Sequence, residues 1–296
     1  MHSSADYLEF SACAELSQRG YTVLCADNAT SKSGISNDGA LDDVLLQMKA
    51  AVTYLRARPE VKKIVLWGHS GGATIMTAYQ DIAENGVKIC QDARKIHACP
   101  DSLAGLPAAD GVILADPNWG LAEMTLLSVD PAVVAETGGM KLDPKLDMYN
   151  PANGFKPAGS DYGPAFVTAF LSAEGRRNNA ILARARRRLA LIEAGEGDYA
   201  DDEPFTVPGA NLLARDNRLF SQDVKLLSHT RQAWPLVHAD GSVTVGIVHT
   251  VRAPENTHNP TRSYLDGALK TTVRNYLGAY AIRAGADFGY YADSIH

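Results

Sequence analysis

The sequence predicts an α/β fold built on a doubly wound, mostly parallel sheet, and three observations predict it. Short apolar runs alternate with amphipathic stretches at strand–helix–strand spacing between residues 6 and 116. Right-handed crossovers between such strands put helices on both faces of the sheet. Each run ends at a polar residue: Asp27, Ser70 within a Gly-rich turn, and Asp116. Sheets of this kind collect their sites beyond the carboxyl ends of the strands, where all three residues are placed.

Taken in order, Asp6 to Arg19 reads as a helix closed by Gly20. Tyr21–Ala26 is a short apolar, partly β-branched run, consistent with a strand buried on both faces. A Ser/Asn/Gly-rich loop over Asn28–Asp38 follows. Leu41, Val44, Leu45, Met48, Val52 and Leu55 recur at helical spacing and stop near Pro59. Lys63–Trp67 is a second buried strand, and the next helix carries Ile75, Met76, Tyr79 and Ile82 on its inner face. Gly111–Ala115 is the third strand. After Asp116 the alternation stops. Residues 117–261 are rich in Pro, Gly and Asn, with helices expected near Asp161–Ala173 and Arg176–Ala194. A hairpin is expected over Pro235–Val251, turning at Ala239-Asp240-Gly241. This segment reads as a lid or cap insertion, with Trp119 and Trp234 either lining a cleft beneath it or packing a core. Leu265, Leu269, Val273, Tyr276 and Tyr280 then mark a helix returning to the core. The domains expected are therefore 1–116, 117–261 and 262–296.

Composition sets bounds on function. The chain has 296 residues, 46% of them hydrophobic and 21% charged, as in ordinary soluble globular proteins. A net charge of −6 argues against a nucleic-acid partner. No apolar run approaches the ~20 residues of a membrane span. Met1–Phe10 is polar and does not read as a signal peptide, so a cytoplasmic location is expected. Cys13 and Cys25 read as small buried apolar groups. Cys90 and Cys99 are either a disulfide, in a secreted protein that has lost its leader, or two thiols in a reducing cytosol. His97 beside them lacks the further ligand a zinc site needs.

The chemistry is carried by Gly68-His69-Ser70-Gly71-Gly72. A Gly-x-Ser-x-Gly match is common by chance, so its context has to carry it. Here it follows a buried strand at once and opens a helix. A serine on such a strained turn is pushed clear of the backbone as a nucleophile, and flanking glycines avoid clashes. The N–H of Gly71 then points from the helix N-terminus at a developing oxyanion. A phosphate-binding turn fits less well, since no Lys follows the glycines and Gly-x-Gly-x-x-Gly is not matched.

With this elbow in its strand-to-helix context, the chain resembles the α/β-hydrolase superfamily of serine esterases, lipases and related acyl hydrolases. The resemblance covers Met1–Asp116 and the helix expected after Arg262. It implies that His2-Ser3-Ser4 matches the family's His-Gly-x turn, with the Ser4 N–H as second oxyanion donor and Ser where Gly is usual. Arg19–Asp27 looks like the stretch leading to the family's fourth strand. The implied activity is hydrolysis of an ester or other acyl bond in a small-molecule substrate, with no metal or organic cofactor. A non-catalytic ligand-binding protein or truncated remnant of the same fold is the alternative.

The remaining triad members stay open. Asp116 is either the triad acid or a turn-starting Asp before Pro117. Family order puts the histidine last, after a final strand, which none of His97, His229, His238, His249, His258 and His296 clearly follows. A rearranged set would join Ser70 and Asp116 to His296 or His258. With few strands before the elbow and none evident after residue 285, the core is expected to be incomplete and the chain to have little activity. An open sheet edge would then invite a homo-oligomer. Arg184, Arg186, Arg187 and Arg188 read as a solvated helix face beside an acidic loop over Glu196–Glu203. A calcium site at Asp198, Asp201 and Asp202 does not follow EF-hand spacing.

Overall fold

A computed structural model describes residues 1–2, 5–29, 40–118, 120–136, 141–156, 160–210, 230–248 and 268–285. Its centre is one strand–helix–strand unit. Strand β1 (Val65–Ser70) runs directly into the helix that starts at Gly71. β1 pairs in parallel with β2 (Gly111–Pro117), from Val65 opposite Gly111 to His69 opposite Ala115; the register then shifts, so that Ser70 faces Pro117. Both strands run further than the apolar pattern indicated, because the ladder carries polar residues at its carboxyl end. Among the described residues the sheets are three strand pairs, and this parallel pair is one of them.

Two helices, one before and one after β1, share its core through their apolar stripes. α1 (Ser11–Gln18) is short; α2 (Leu41–Arg56) buries Leu41, Val44, Leu45, Met48 and Val52. α3 (Gly71–Asn85) buries Ile75, Met76, Tyr79 and Ile82. These side chains share one hydrophobic cluster with Ile64 and Leu66. The same cluster draws on residues well beyond Asp116, among them Ile181, Phe205, Val207, Val273 and Tyr276. α4 (Leu121–Leu126) follows β2, and α5 (Pro164–Glu193) is a single helix of 30 residues. The break expected near Gly175 does not occur. Arg177, next to it, is buried and donates to Glu136 Oε1, the Asp130 carbonyl and the Pro208 carbonyl at 2.7, 2.8 and 2.7 Å, which fixes this turn of the helix against two loops.

The arginine-rich face also differs from a uniformly solvated one. Arg184 donates to the Thr206 carbonyl and lies over the Phe205 ring, while Arg188 pairs with Glu203 and Asp198. Arg186 and Arg187 are exposed as expected. Asp202 accepts from the N–H groups of Glu203 and Arg274. These acids therefore serve the α5 to β3 connection, where β3 is Pro204–Val207.

Four other expectations need correction. The N-terminal helix starts at Ser11 instead of Asp6: Asp6 accepts from the Leu8 N–H in a turn, and Tyr7 stacks on Phe10 with centroids 4.4 Å apart. Tyr21–Ala26 forms no strand, and Tyr21 and Leu24 are exposed. The helix expected from Leu265 is, in its described part, strand β6 (Leu269–Thr272), antiparallel to β3, followed by one turn, α6 (Val273–Asn275), and a wider π turn over Tyr276–Tyr280. Pairing with β3 overrides the helical spacing of Leu269 and Val273. The hairpin is present as β4 (Trp234–Val237) and β5 (Val243–Gly246), with Gly241 at φ 81° in its turn. Cys13, expected to be a free thiol, bonds Cys25, and Cys90 bonds Cys99. Cys90 and Cys99 are thus not thiolate ligands. Among the described residues no helix is long and apolar enough to cross a membrane.

Candidate functional site

The site is assembled where β1 and β2 end. Ser70 has φ 53° and ψ −127°, a region that side chains rarely occupy. Asp116, at the end of the neighbouring strand, has φ 46°. These are the two positive-φ residues other than glycine among the described residues, and they lie side by side. Such strain costs on the order of 1–3 kcal/mol per residue and persists only where the surroundings impose it.

The surroundings are visible in the glycines. A Cβ on Gly68 would lie 2.6 Å from Ala73 Cα, because the helix folds back across the strand end. A Cβ on Gly72 would lie 2.5 Å from the Met1 carbonyl oxygen. The first turn of α3 is thereby pressed against β1 on one side and the N-terminal dipeptide on the other. Ser70 Oγ makes no cap to the helix, so the first-turn N–H groups have no side-chain acceptor there. Ser70 itself is half-buried.

The N-terminal dipeptide joins the elbow to Asn28: the Met1 carbonyl lies against Gly72, and His2 is held from both sides. His2 Nδ1 accepts from the Ala5 N–H at 2.9 Å, and the His2 carbonyl accepts from Asn28 Nδ2 at 2.6 Å. The Asn118 N–H donates to the Ser70 carbonyl at 3.4 Å. His2 stacks on Tyr7, and Phe10 stacks on Trp67. Tyr7 Oη and His69 Nδ1 are 2.6 Å apart, and burial raises the Tyr7 pKa. His69 is thus held by an aromatic wall beside the elbow, which the Gly-x-Ser-x-Gly spacing alone did not indicate.

Of the residues singled out from sequence, the structure brings Ser70, Gly71 and Asp116 together at adjacent strand ends. Ser4, Trp119, His229, His249, His258 and His296 lie outside the described residues. Trp234 is 56% exposed on the hairpin, and no hairpin residue joins a hydrophobic cluster. Sequence reasoning missed a histidine–carboxylate pair: His97 Nε2 lies 3.0 Å from Asp42 Oδ2, between the Cys90–Cys99 loop and the first turn of α2. A separation of 55 residues left no local signal for it. No family model, curated protein or solved structure matches this chain.

Proposed function

We propose that the protein is a serine hydrolase of α/β-hydrolase type, acting on an ester or other acyl bond with Ser70 as nucleophile. The observation that carries this reading is the Ser70 backbone, at φ 53° and ψ −127° between a parallel strand and a helix. A turn-forming serine has no need of such strain, whereas a nucleophile elbow does. Ser70 Oγ attacks the acyl carbon and gives its proton to a base. The Gly71 N–H and, on the family resemblance, the Ser4 N–H hold the oxyanion. Collapse expels the alcohol or amine, and water then hydrolyses the acyl-serine. Asp116 is proposed as the acid, and His296 or His258 as the base, within a sheet wider than its two described strands.

A second reading, a ligand-binding protein of the same fold without catalysis, is favoured by one observation. Among the described residues no side chain hydrogen-bonds Ser70 Oγ. A fluorophosphonate probe separates the two. Labelling at Ser70 that is lost in Ser70→Ala, and slowed about 10²–10⁴-fold by His296→Ala or His258→Ala, is expected of the hydrolase. Absent labelling, or labelling indifferent to both histidines, would support the second reading.

A further inference from the structure

The two disulfides differ in burial and in what they hold. Cys90 and Cys99 are 2% and 3% exposed and belong to the main hydrophobic cluster. Cys13 and Cys25 are half-buried, with Cα atoms 6.2 Å apart, and join no cluster among the described residues. α1, which carries Cys13, buries none of its residues. A short helix without a buried face is marginal by itself. The covalent bond thus does for α1 what apolar burial does for α2 and α3.

The same bond closes a ring of contacts beside the elbow. On one leg, Tyr7 and Phe10 lead into the helix that holds Cys13. Phe10 stacks on Trp67 with centroids 5.4 Å apart, and Tyr7 Oη lies 2.6 Å from His69 Nδ1. On the other leg, Cys25 leads to Asn28, which is buried and donates from Nδ2 to the His2 carbonyl at 2.6 Å. The legs meet where His2 stacks on Tyr7, with centroids 4.7 Å apart. These links are stacks and hydrogen bonds, and the disulfide is the covalent cross-link between the legs.

We propose that Cys13–Cys25 is a redox-sensitive tether, which a dithiol opens ahead of Cys90–Cys99, so that the opened legs release Tyr7 and Phe10 from His69 and Trp67. Thiol–disulfide exchange needs a thiolate to reach a sulfur, which burial denies at Cys90 and Cys99. One thiolate of the dithiol attacks Sγ of Cys13 or Cys25, the S–S bond breaks, and the other cysteine leaves as a thiolate and takes up a proton. The second thiol, as its thiolate, displaces the cysteine held in the mixed disulfide, and the reagent leaves as its cyclic disulfide. The protein gains two electrons and two protons, and the dithiol loses both. The tether acts on the wall beside Ser70 whatever chemistry the elbow performs.

The test treats the full chain with dithiothreitol at pH 7, traps free thiols with iodoacetamide at increasing times, and locates them by peptide mapping. Cys13 and Cys25 are expected to be trapped faster than Cys90 and Cys99 by about tenfold or more. Amide hydrogen exchange is then read on the species reduced at Cys13 and Cys25 alone. The Phe10 and Cys13 amides, which donate to the Tyr7 and Phe10 carbonyls, should exchange faster than in the oxidised chain by about tenfold or more. The helical amides of α3 and α5 should keep their rates. The double variant Cys13→Ser/Cys25→Ser should exchange like the reduced species with no reductant present. Trapping of Cys13 and Cys25 before reductant is added, reduction of both disulfides at one rate or of Cys90–Cys99 first, or unchanged exchange at Phe10 and Cys13 overturns the proposal. Exchange that rises equally across α3 and α5 also overturns it, because the bond would then be a staple of the whole fold.

Discussion

The two edges of β1 are built from the same residues and end in opposite states. Toward β2, its backbone is paired from Val65 to Ser70, and the ladder runs into an elbow so tightly packed that neither Gly68 nor Gly72 has room for a methyl group. Toward Tyr21–Ala26 it faces a cavity. Tyr21–Ala26 has as good a strand composition as Lys63–Trp67, yet it forms no strand. β-propensity expresses packing against neighbours more than a property of the backbone, so without a neighbour the preference is not realised.

The comparison is broken most severely by removing a donor from each wall. Leu66 is 8% exposed and turns its N–H toward β2, so Leu66→Pro removes a ladder bond and a buried side chain together. A loss of about 3 kcal/mol or more is expected. Val23→Pro removes an N–H that bonds nothing among the described residues, and a loss below about 1 kcal/mol is expected. Urea unfolding of both variants checks this. Equal losses would mean that the open edge is paired in solution.

The same contrast explains what could be read from the sequence. The β1–α3–β2 unit was legible because its signals are local: a short apolar run, a glycine turn, a 3.6-residue stripe and a second apolar run. The hairpin was legible for the same reason, since Asp240-Gly241 supplies both the positive φ and a carboxylate that accepts from the Ser242 N–H at 2.9 Å. What was misread depends on distant partners. Leu269–Thr272 is a strand only because Pro204–Val207 lies beside it. α5 runs through Gly175 because Arg177 finds its acceptors in two loops. Cys13 and Cys25 pair because the N-terminal helix and the segment Tyr21–Ala26 lie together. At the site, Ser70 and Gly71 were legible from their motif, whereas Tyr7 as the partner of His69, and Asp42 as the partner of His97, come from contacts with no fixed spacing.

A smaller effect, of opposite sign, sharpens the reading of the paired edge. The strain at Ser70 is of the order of 1–3 kcal/mol and belongs to the backbone, not to the hydroxyl. Ser70→Gly removes the Cβ that makes φ 53° costly and gives back part of that gain as unfolded-state entropy. A net stabilisation of about 1–2 kcal/mol is expected, against a change within about 0.5 kcal/mol for Ser70→Ala, which keeps the Cβ. The midpoint of urea unfolding at unchanged slope measures both. If the glycine variant proves no more stable than the alanine variant, the elbow is not held under strain and the main support for a nucleophile at Ser70 is gone.

The smallest effect concerns the amino end of the same paired edge, where a side chain does the work of a ladder. Asp110 Oδ2 accepts from the Ile64 N–H at 2.8 Å and from Arg56 Nη2 at 2.8 Å, and the Asp110 N–H donates to the Ile64 carbonyl. The Ile64 N–H, then the Arg56 hydrogen bond and charge, hold the Asp110 carboxyl below the usual aspartate range, against a partial opposing effect of desolvation. A carboxylate whose pKa is lower folded than unfolded stabilises the fold once it is ionised. Its contribution is complete above the unfolded value, about 3.9, and is lost as pH falls through the depressed folded value. Asp110 is 34% exposed and its ion pair meets solvent, which keeps the effect small. Asp110→Asn should therefore melt slightly below the parent chain at pH 7 and at pH 5, with the two curves converging as the pH falls below 3.9 toward the acid limit. Faster exchange of the Ile64 amide in the variant at pH 7 would accompany the loss. A gap that persists undiminished in acid would place the contribution in packing, and the closure of this strand pair would then owe nothing to the Asp110 charge.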